Sequence, residues 1–362
     1  MSDDRLTITR LKLENFTAFS SLDMEFSPGI NVFIGPNATG KTHILKIIYA
    51  VMSALEKPGE YISKEEAILQ KIANVFLPYQ KRLGRLVKRA RGGPINAEIK
   101  IYRGKFQASI RLQSGWGQLR LPRAIKIPPK WSNGLGDKDS GASVYLPPKE
   151  VLSIAPGFQS LYKNREIHFE EVYNDLLDWA YRPLRRGPLS HQEEDLLKFV
   201  KAIMGGRMVS TRGEYFFFVG SYGEKLEFTL LAEGIRKLAL IWLLVRNGTL
   251  LKGSTLFWDE PEANLNPSML KHVAEILLRL QRMGVQIFIA THSYVLVKFL
   301  DLLKKKSDSV RYFSLYREGR DVKFNQSDDY ATLEPDAVGD ALLDIYNMEV
   351  ETKLKNLSGK GK

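Results

Sequence analysis

The sequence predicts an α/β fold in which a mostly parallel core sheet is flanked by helices, with an antiparallel β layer and an inserted helical block. Three observations carry this. From Leu230 onward helical and strand patterns alternate: a helix at Glu233–Arg246, a strand at 255–258, a helix after Asn266 and a strand at 286–290. That order is how parallel sheets are built. Short runs of strand period dominate the opening of the chain. Between these regions, residues 165–206 repeat apolar side chains at helical spacing.

The first strand reads from Leu6 and Ile8, alternating with Thr7 and Thr9, and then from Leu11 and Leu13, alternating with Lys12 and Glu14. The apolar parity slips by one residue near Arg10, which implies a bulge or a strand partly buried on both faces. Residues 22–26 alternate again, Ile30–Ile34 is a short apolar run, and 35–42 is a loop. A helix comes next, with Ile44, Leu45, Ile48 and Val51 on its buried side. Residues 61–93 read as helical and then basic, 97–112 as a hairpin turning at Gly104, 113–142 as a long loop, and Ser143–Leu146 as a returning strand.

In the inserted block, Val172, Leu176, Leu177 and Ala180 recur at helical spacing. Ser190 and Glu193 form an S-x-x-E capping box ahead of Leu196, Leu197, Val200 and Ile203, and Gly205-Gly206 ends that helix. Residues 215–219, YFFFV, read as a strand. Asn266 caps a helix that begins with Pro267 and carries Leu270, Val273, Leu277 and Leu280 inward. A short helix over 335–346, with Val338, Leu342 and Tyr346 on one side, is expected to pack on the body of the protein. The divisions expected are 1–155, 156–224, 225–330 and 331–362.

The chain has 362 residues, is 44% apolar and contains no cysteine. It is long enough for substantial cores, and it excludes disulfides and thiolate zinc sites. No apolar run approaches a membrane span, and the opening MSDDRLTITR has no apolar signal region. A cytoplasmic protein without a membrane partner is expected. The net charge of +12 favours a polyanionic partner or a basic face. Lys81, Arg82, Arg85, Lys88, Arg89 and Arg91 cluster, and as a helix they would put Lys81, Arg85 and Lys88 on one face. Two readings stay open there: DNA contact through the phosphate backbone, or a solvated charge run. Arg182, Arg185 and Arg186 form a smaller second cluster.

Four motifs carry chemistry. Gly35-Pro36-Asn37-Ala38-Thr39-Gly40-Lys41-Thr42 matches G-x-x-x-x-G-K-[ST] between a strand and a helix. Its backbone N–H groups and the helix N-terminus suit phosphate, Lys41 reaches the β- and γ-phosphates, and the Thr42 hydroxyl holds magnesium. Residues 255–260, TLFWDE, deliver two acids at the end of an apolar strand. Asp259 would bind Mg2+ and Glu260 would polarise the attacking water. His292 emerges at the end of the next strand, where a γ-phosphate could be touched. Residues 231–237, LAEGIRK, open a helix with two cations in its first turns, against the helix dipole. Gly234 and Arg236 are therefore expected to face a phosphate on another protomer, against the alternative of two solvated basic residues.

Together these segments resemble the ATPase head of ABC-type proteins, closest to the RecF-like and overcoming-lysogenization-defect-like branch. The opening through THIL, DEPEANLNP, THS and LAEGIRK carry the likeness, over about residues 5–55 and 225–300. The resemblance implies ATP and Mg2+ as ligands, ATP hydrolysis, and a homodimer, or a higher oligomer built from such dimers, that closes around nucleotide. Residues 264–267 would then lie at the dimer seam. It names 1–155 an N-terminal ATPase lobe, 156–224 a helical and β insertion, and 225–330 a C-terminal ATPase lobe with signature, acid pair and switch histidine. Two departures stand out: Ala232 occupies the place of a signature serine, and no clear Q-loop glutamine exists, with Lys149 and Glu150 the candidates. No acid cluster of a fused nuclease comes after residue 300, so a separate effector protein is expected. Three functions compete: the ATPase of a bacterial anti-phage defence system, a RecF-like DNA-repair ATPase, and an ATP-gated scaffold with little turnover.

Overall fold

A computed structural model describes residues 7–56, 63–89, 95–104, 106–114, 141–211, 215–335 and 337–358. Its centre is a six-stranded sheet in the order β13-β12-β3-β11-β10-β6. The strands are β3 (Ile30–Ile34), β6 (Ser143–Leu146), β10 (Thr255–Asp259), β11 (Gln286–Thr291), β12 (Val310–Glu318) and β13 (Asp321–Ser327). Neighbours from β12 to β6 run parallel, and only the edge strand β13 is antiparallel. The central strands are buried on both faces, which explains why they read as unbroken apolar runs.

Strand alternation sorts these side chains into two cores. One face carries an aromatic layer of Phe33, Tyr145, Phe257, Phe288 and Phe313, packed against helix α1 (Lys41–Glu56) and helix α2 (Lys64–Phe76). Phe33 stacks on Phe313 at 5.0 Å and Phe257 on Phe288 at 5.1 Å, while Phe26 meets Phe288 edge-on at 5.0 Å. The other face carries Val32, Leu256, Trp258, Ile287 and Ile289 against the helices of the second half of the chain.

A four-stranded antiparallel sheet, β2-β1-β4-β5, covers the aromatic side. It comprises β1 (Ile8–Phe16), β2 (Phe19–Glu25), β4 (Asn96–Arg103) and β5 (Phe106–Gln113). The register of β1 against β4 shifts between Ile8 and Arg10, so the parity slip is a bulge. Gln286, 2% exposed, stitches the two sheets: its amide exchanges 2.8 Å hydrogen bonds with the Ile8 backbone and donates at 2.9 Å to the Ser27 carbonyl.

The inserted block holds α3 (Ala155–Lys163), α4 (Glu171–Ala180) and α5 (His191–Met204), succeeded by a small antiparallel sheet of β7 (Gly206–Thr211), β8 (Tyr215–Gly220) and β9 (Lys225–Glu227). The Ser190/Glu193 capping box is formed and Gly205 ends α5. Helices α6 (Glu233–Arg246), α7 (Pro267–Arg282) and α8 (Tyr294–Leu303) complete the second core, and α9 (Ala337–Ser358) closes the described chain.

Three expectations are corrected. Residues 61–93 are not one helix running into a basic helical face. Helix α2 ends at Leu77, which adopts a left-handed conformation before Pro78, and two short 3-10 turns come after it. Lys81, Arg85 and Lys88 therefore share no helical face. Lys81 donates to Asn74 at 2.7 Å, Arg85 lies 5.7 Å over the Tyr79 ring, and Lys88 pairs with Asp321. Arg82 is half-buried, Arg89 is exposed, and Arg91 lies outside the described residues. In the second basic cluster, Arg182 lies 3.9 Å over the Trp179 ring and Arg185 pairs with Glu193 at 2.9 Å. The final helix is longer than expected and does not pack over residues 344–353, where Ile345 and Met348 are 62% and 68% exposed. The bulk of the 113–142 loop, residues 115–140, lies outside the described residues, as does Leu6.

Candidate active site

The parallel strands β12, β3, β11, β10 and β6 end on one edge of the sheet, and the residues just beyond those strand ends build the site. Ligands in open α/β sheets lie beyond such carboxyl ends. After β3 the chain enters the 35–42 loop, where two glycines are required. At Gly35 (φ +146) a Cβ would lie 2.2 Å from the Leu315 carbonyl oxygen, and at Gly40 (φ +89) 2.6 Å from the Phe19 ring. Ala38 is held at φ 60 at the exposed apex of the loop, with Pro36 and Asn37 beside it. Thr39 is buried and donates to the Pro36 carbonyl at 2.9 Å.

Lys41 opens α1 and folds back across the loop, donating to the Gly35 and Pro36 carbonyls at 2.7 and 2.9 Å. Burial lowers its pKa to about 8, against the pull of Asp259, Glu260 and Glu262. A lysine held in a nearly dry loop of carbonyls suits the binding of an anion. Thr42 donates to Asp259 Oδ1 at 3.1 Å, which brings the loop and the acid pair together. Asp259 also accepts from the Tyr145 hydroxyl at 3.1 Å, and burial pushes its pKa up to about 6. A hydroxyl and a carboxylate make an all-oxygen donor pair of the kind magnesium takes, with waters and phosphates filling its remaining positions. Among the described residues no cluster of three His, Cys, Asp or Glu side chains stands ready for a metal, so a transition-metal cage is not offered.

Glu260 has φ 48, an unfavourable backbone conformation for a non-glycine residue, and its amide is tied to the Ala290 carbonyl at 2.8 Å. His292 Nε2 lies 3.8 Å from Glu260 Oε1. Burial and the Lys41 charge lower the His292 pKa, so the imidazole is neutral at pH 7 and carries one donor and one acceptor nitrogen. Glu262 accepts from the His292 amide at 2.6 Å and fixes the strand end from which the ring projects. Lys41, Thr42, Asp259, Glu260 and His292 thus converge from three adjoining strands.

Residues 124–298 match a family model described as "AAA domain, putative AbiEii toxin, Type IV TA system", and residues 7–106 match a model of an AAA ATPase domain. The chain is 57% identical over 42 residues to the DNA replication and repair protein RecF of Streptococcus uberis, a match covering 12% of each chain. It is 28% identical over 155 residues to the DNA double-strand break repair Rad50 ATPase of Methanopyrus kandleri, covering 41% of this chain and 16% of that one. Both matches therefore span a small part of those relatives. A crystal structure of the SmcHead bound to the C-winged helix domain of ScpA superposes with a TM-score of 0.52 over 88% of this chain and 97% of that one. At 13% identity, this likeness shows the fold. The two family models and the RecF and Rad50 matches support an ABC-type P-loop ATPase.

Helix α6 begins without a side-chain cap at Ala232, so its first N–H groups are open. Gly234 sits in that first turn beside Leu265. Asn264 donates to Glu233 at 2.9 Å and Lys237 donates to the Ala263 carbonyl, so helix α6 and the loop after the acid pair form one surface. Arg236 does not face outward as expected. It turns to Glu150 at 3.4 Å, with side-chain exposures of 17% and 3%. Glu150 also accepts from the Leu152 and Ser153 amides, while Lys149 is exposed. Sequence reasoning missed Tyr145 and Glu262. Tyr145 is recognisable only once β6 is known to pair with β10, which sets Tyr145 opposite Phe257. Glu262 falls inside the acidic DEPE run and could have been found there. Among the described residues no helix is long and apolar enough to cross a membrane.

Proposed function

We propose that the protein binds and hydrolyses ATP between two copies of itself, as the regulatory ATPase of a bacterial anti-phage defence system that controls a separate effector. The observation that carries the enzymatic part is the meeting of Thr42, Asp259, Glu260 and His292 beside the 35–42 loop. In the proposed roles, the loop amides and Lys41 bind the phosphates, and Thr42 and Asp259 hold Mg2+. Bound there, the ion would neutralise charge on the phosphate oxygens. Glu260 orients and deprotonates the attacking water, and His292 donates a hydrogen bond toward the γ-phosphate. Gly234 and the open end of α6 complete the site of the partner copy. Leu230, beside this helix end, is 71% exposed, as a surface that closes on another copy would require. The divisions at 155, 224 and 330 belong to the same proposal, with the helical insertion lying between the two lobes.

The defence reading draws on the family model over residues 124–298, whose description names a putative toxin of a type IV TA system. The RecF match over 42 residues favours a second reading, a DNA-repair ATPase. Steady-state phosphate release separates enzyme from scaffold: Glu260→Gln should abolish turnover while retaining nucleotide, and equal rates in both proteins would remove the catalytic claim. Plaque counts and survival after DNA damage, with the native locus carrying either allele, separate the two roles. Phage protection lost in Glu260→Gln supports defence. Unchanged plaques with lost damage survival support repair.

A further inference from the structure

Strand β12 pairs with β3 as far as Ser314 opposite Ile34, and then outruns it. Its last residues, 315–318, run beside the 35–42 loop, where the Leu315 carbonyl leaves no room for a side chain on Gly35. Phe313 and Leu315 face the α1 core, so alternation sends Arg317 to the same side. There its guanidinium donates to the Ala38 carbonyl at 2.6 Å, at the loop apex. Arg317 is exposed, and no carboxylate pairs with it among the described residues. The end of its hairpin is fixed as well: Asp321 accepts from Lys88 and, at 2.5 Å, from the Ser20 hydroxyl, tying the turn to β2.

A trans peptide carries its C=O and N–H in opposite directions. The peptide joining Ala38 to Thr39 therefore turns its N–H away from Arg317. A charged donor on the carbonyl polarises that N–H and makes it a stronger donor. We propose that Arg317 is a positioning residue of the phosphate cradle, holding Ala38 in its left-handed conformation and strengthening the Thr39 amide that faces the nucleotide's β-phosphate. This rests on the nucleotide reading of the 35–42 loop. Because ADP and ATP both carry a β-phosphate, the contribution is to binding and is shared by both.

The test is calorimetric titration of ATP and ADP, with Mg2+, into the full chain and its Arg317→Ala, Arg317→Lys and Lys41→Ala variants, alongside turnover kinetics. Arg317→Ala should weaken both nucleotides by a similar factor, about tenfold, as expected for one charge-assisted hydrogen bond. It should raise KM with kcat within about twofold. Arg317→Lys should recover part of the loss, and the melting temperature without nucleotide should not move. Arg317→Ala binding as tightly as the native chain, while Lys41→Ala does not, overturns this inference alone. A drop in the nucleotide-free melting temperature that accounts for the weaker binding overturns it too, in favour of a structural role. Undiminished binding by Lys41→Ala removes the nucleotide reading and this inference with it.

Discussion

The inserted helix α4 is held to the nucleotide-loop helix α1 by buried charge, and that bond can be measured. Lys71 of α2 donates to Asp175 at 2.6 Å and Glu171 at 2.9 Å, and the fully buried Tyr49 of α1 donates to Asp175 at 2.5 Å. The Lys71 and Asp175 side chains are 10% and 12% exposed. Lys71→Met removes the cation that both Asp175 and Glu171 share, and Asp175 is the more buried of the two. Breaking such a buried pair costs about 3 to 5 kcal/mol, and the lower figure applies because Asp175 keeps the Tyr49 hydroxyl. For a chain of this size about 3 kcal/mol corresponds to a fall of roughly 4 °C in Tm. Denaturant melts monitored by tryptophan fluorescence, to which Trp179 on α4 contributes, give the free energy directly. The double variant Lys71→Met/Asp175→Asn keeps an acceptor for Tyr49 and leaves only the less buried Glu171 carboxylate without its cation, so it should recover part of the loss. A single variant within about 0.5 kcal/mol of the native protein would refute the account of how the insertion is anchored.

Two further outcomes are expected. Tyr145→Phe removes a donor from Asp259, so Mg2+-dependent ATP binding should weaken by about tenfold while binding in EDTA is unchanged; equal loss in both conditions would mean Tyr145 acts on the fold and not on the metal-binding acid. Burial holds the His43 imidazole down at about 4, from an ordinary 6.5, with the Lys46 charge contributing. The unfolded chain therefore binds a proton that the folded one refuses, and stability present above pH 6.5 is lost as pH falls toward 4, by roughly 3 kcal/mol. The raised pKa of Asp259 works in the opposite sense but is common to both proteins, so the difference between native and His43→Gln melts isolates the histidine. Parallel curves across that window would contradict it.

The features legible in the sequence are local. The strand, loop and helix around Lys41, the Ser190/Glu193 box and the slip at Arg10 are each decided by residues within a few positions of one another. The basic run misleads because its charge spacing suggests a helix, while Pro78, directly after Leu77, disfavours continuing one. Lys88 looks like a surface cation, yet its partner Asp321 lies at the other end of the chain. Tyr145 and Arg317 are invisible in the sequence for the same reason: one depends on β6 lying beside β10, the other on β12 outrunning β3. Arg236 is expected to point outward because its position opposes the helix dipole. The buried carboxylate of Glu150, far upstream, supplies the compensating charge instead.

Whether nucleotide is gripped between two copies is decided most directly by light scattering of Glu260→Gln with and without ATP and Mg2+. A mass near the 41.2 kDa of one chain without nucleotide, doubling when ATP is added and returning to one chain when Gly234→Glu is combined with it, is the predicted result. A single-chain mass at saturating ATP, with nucleotide demonstrably bound, would contradict the shared site.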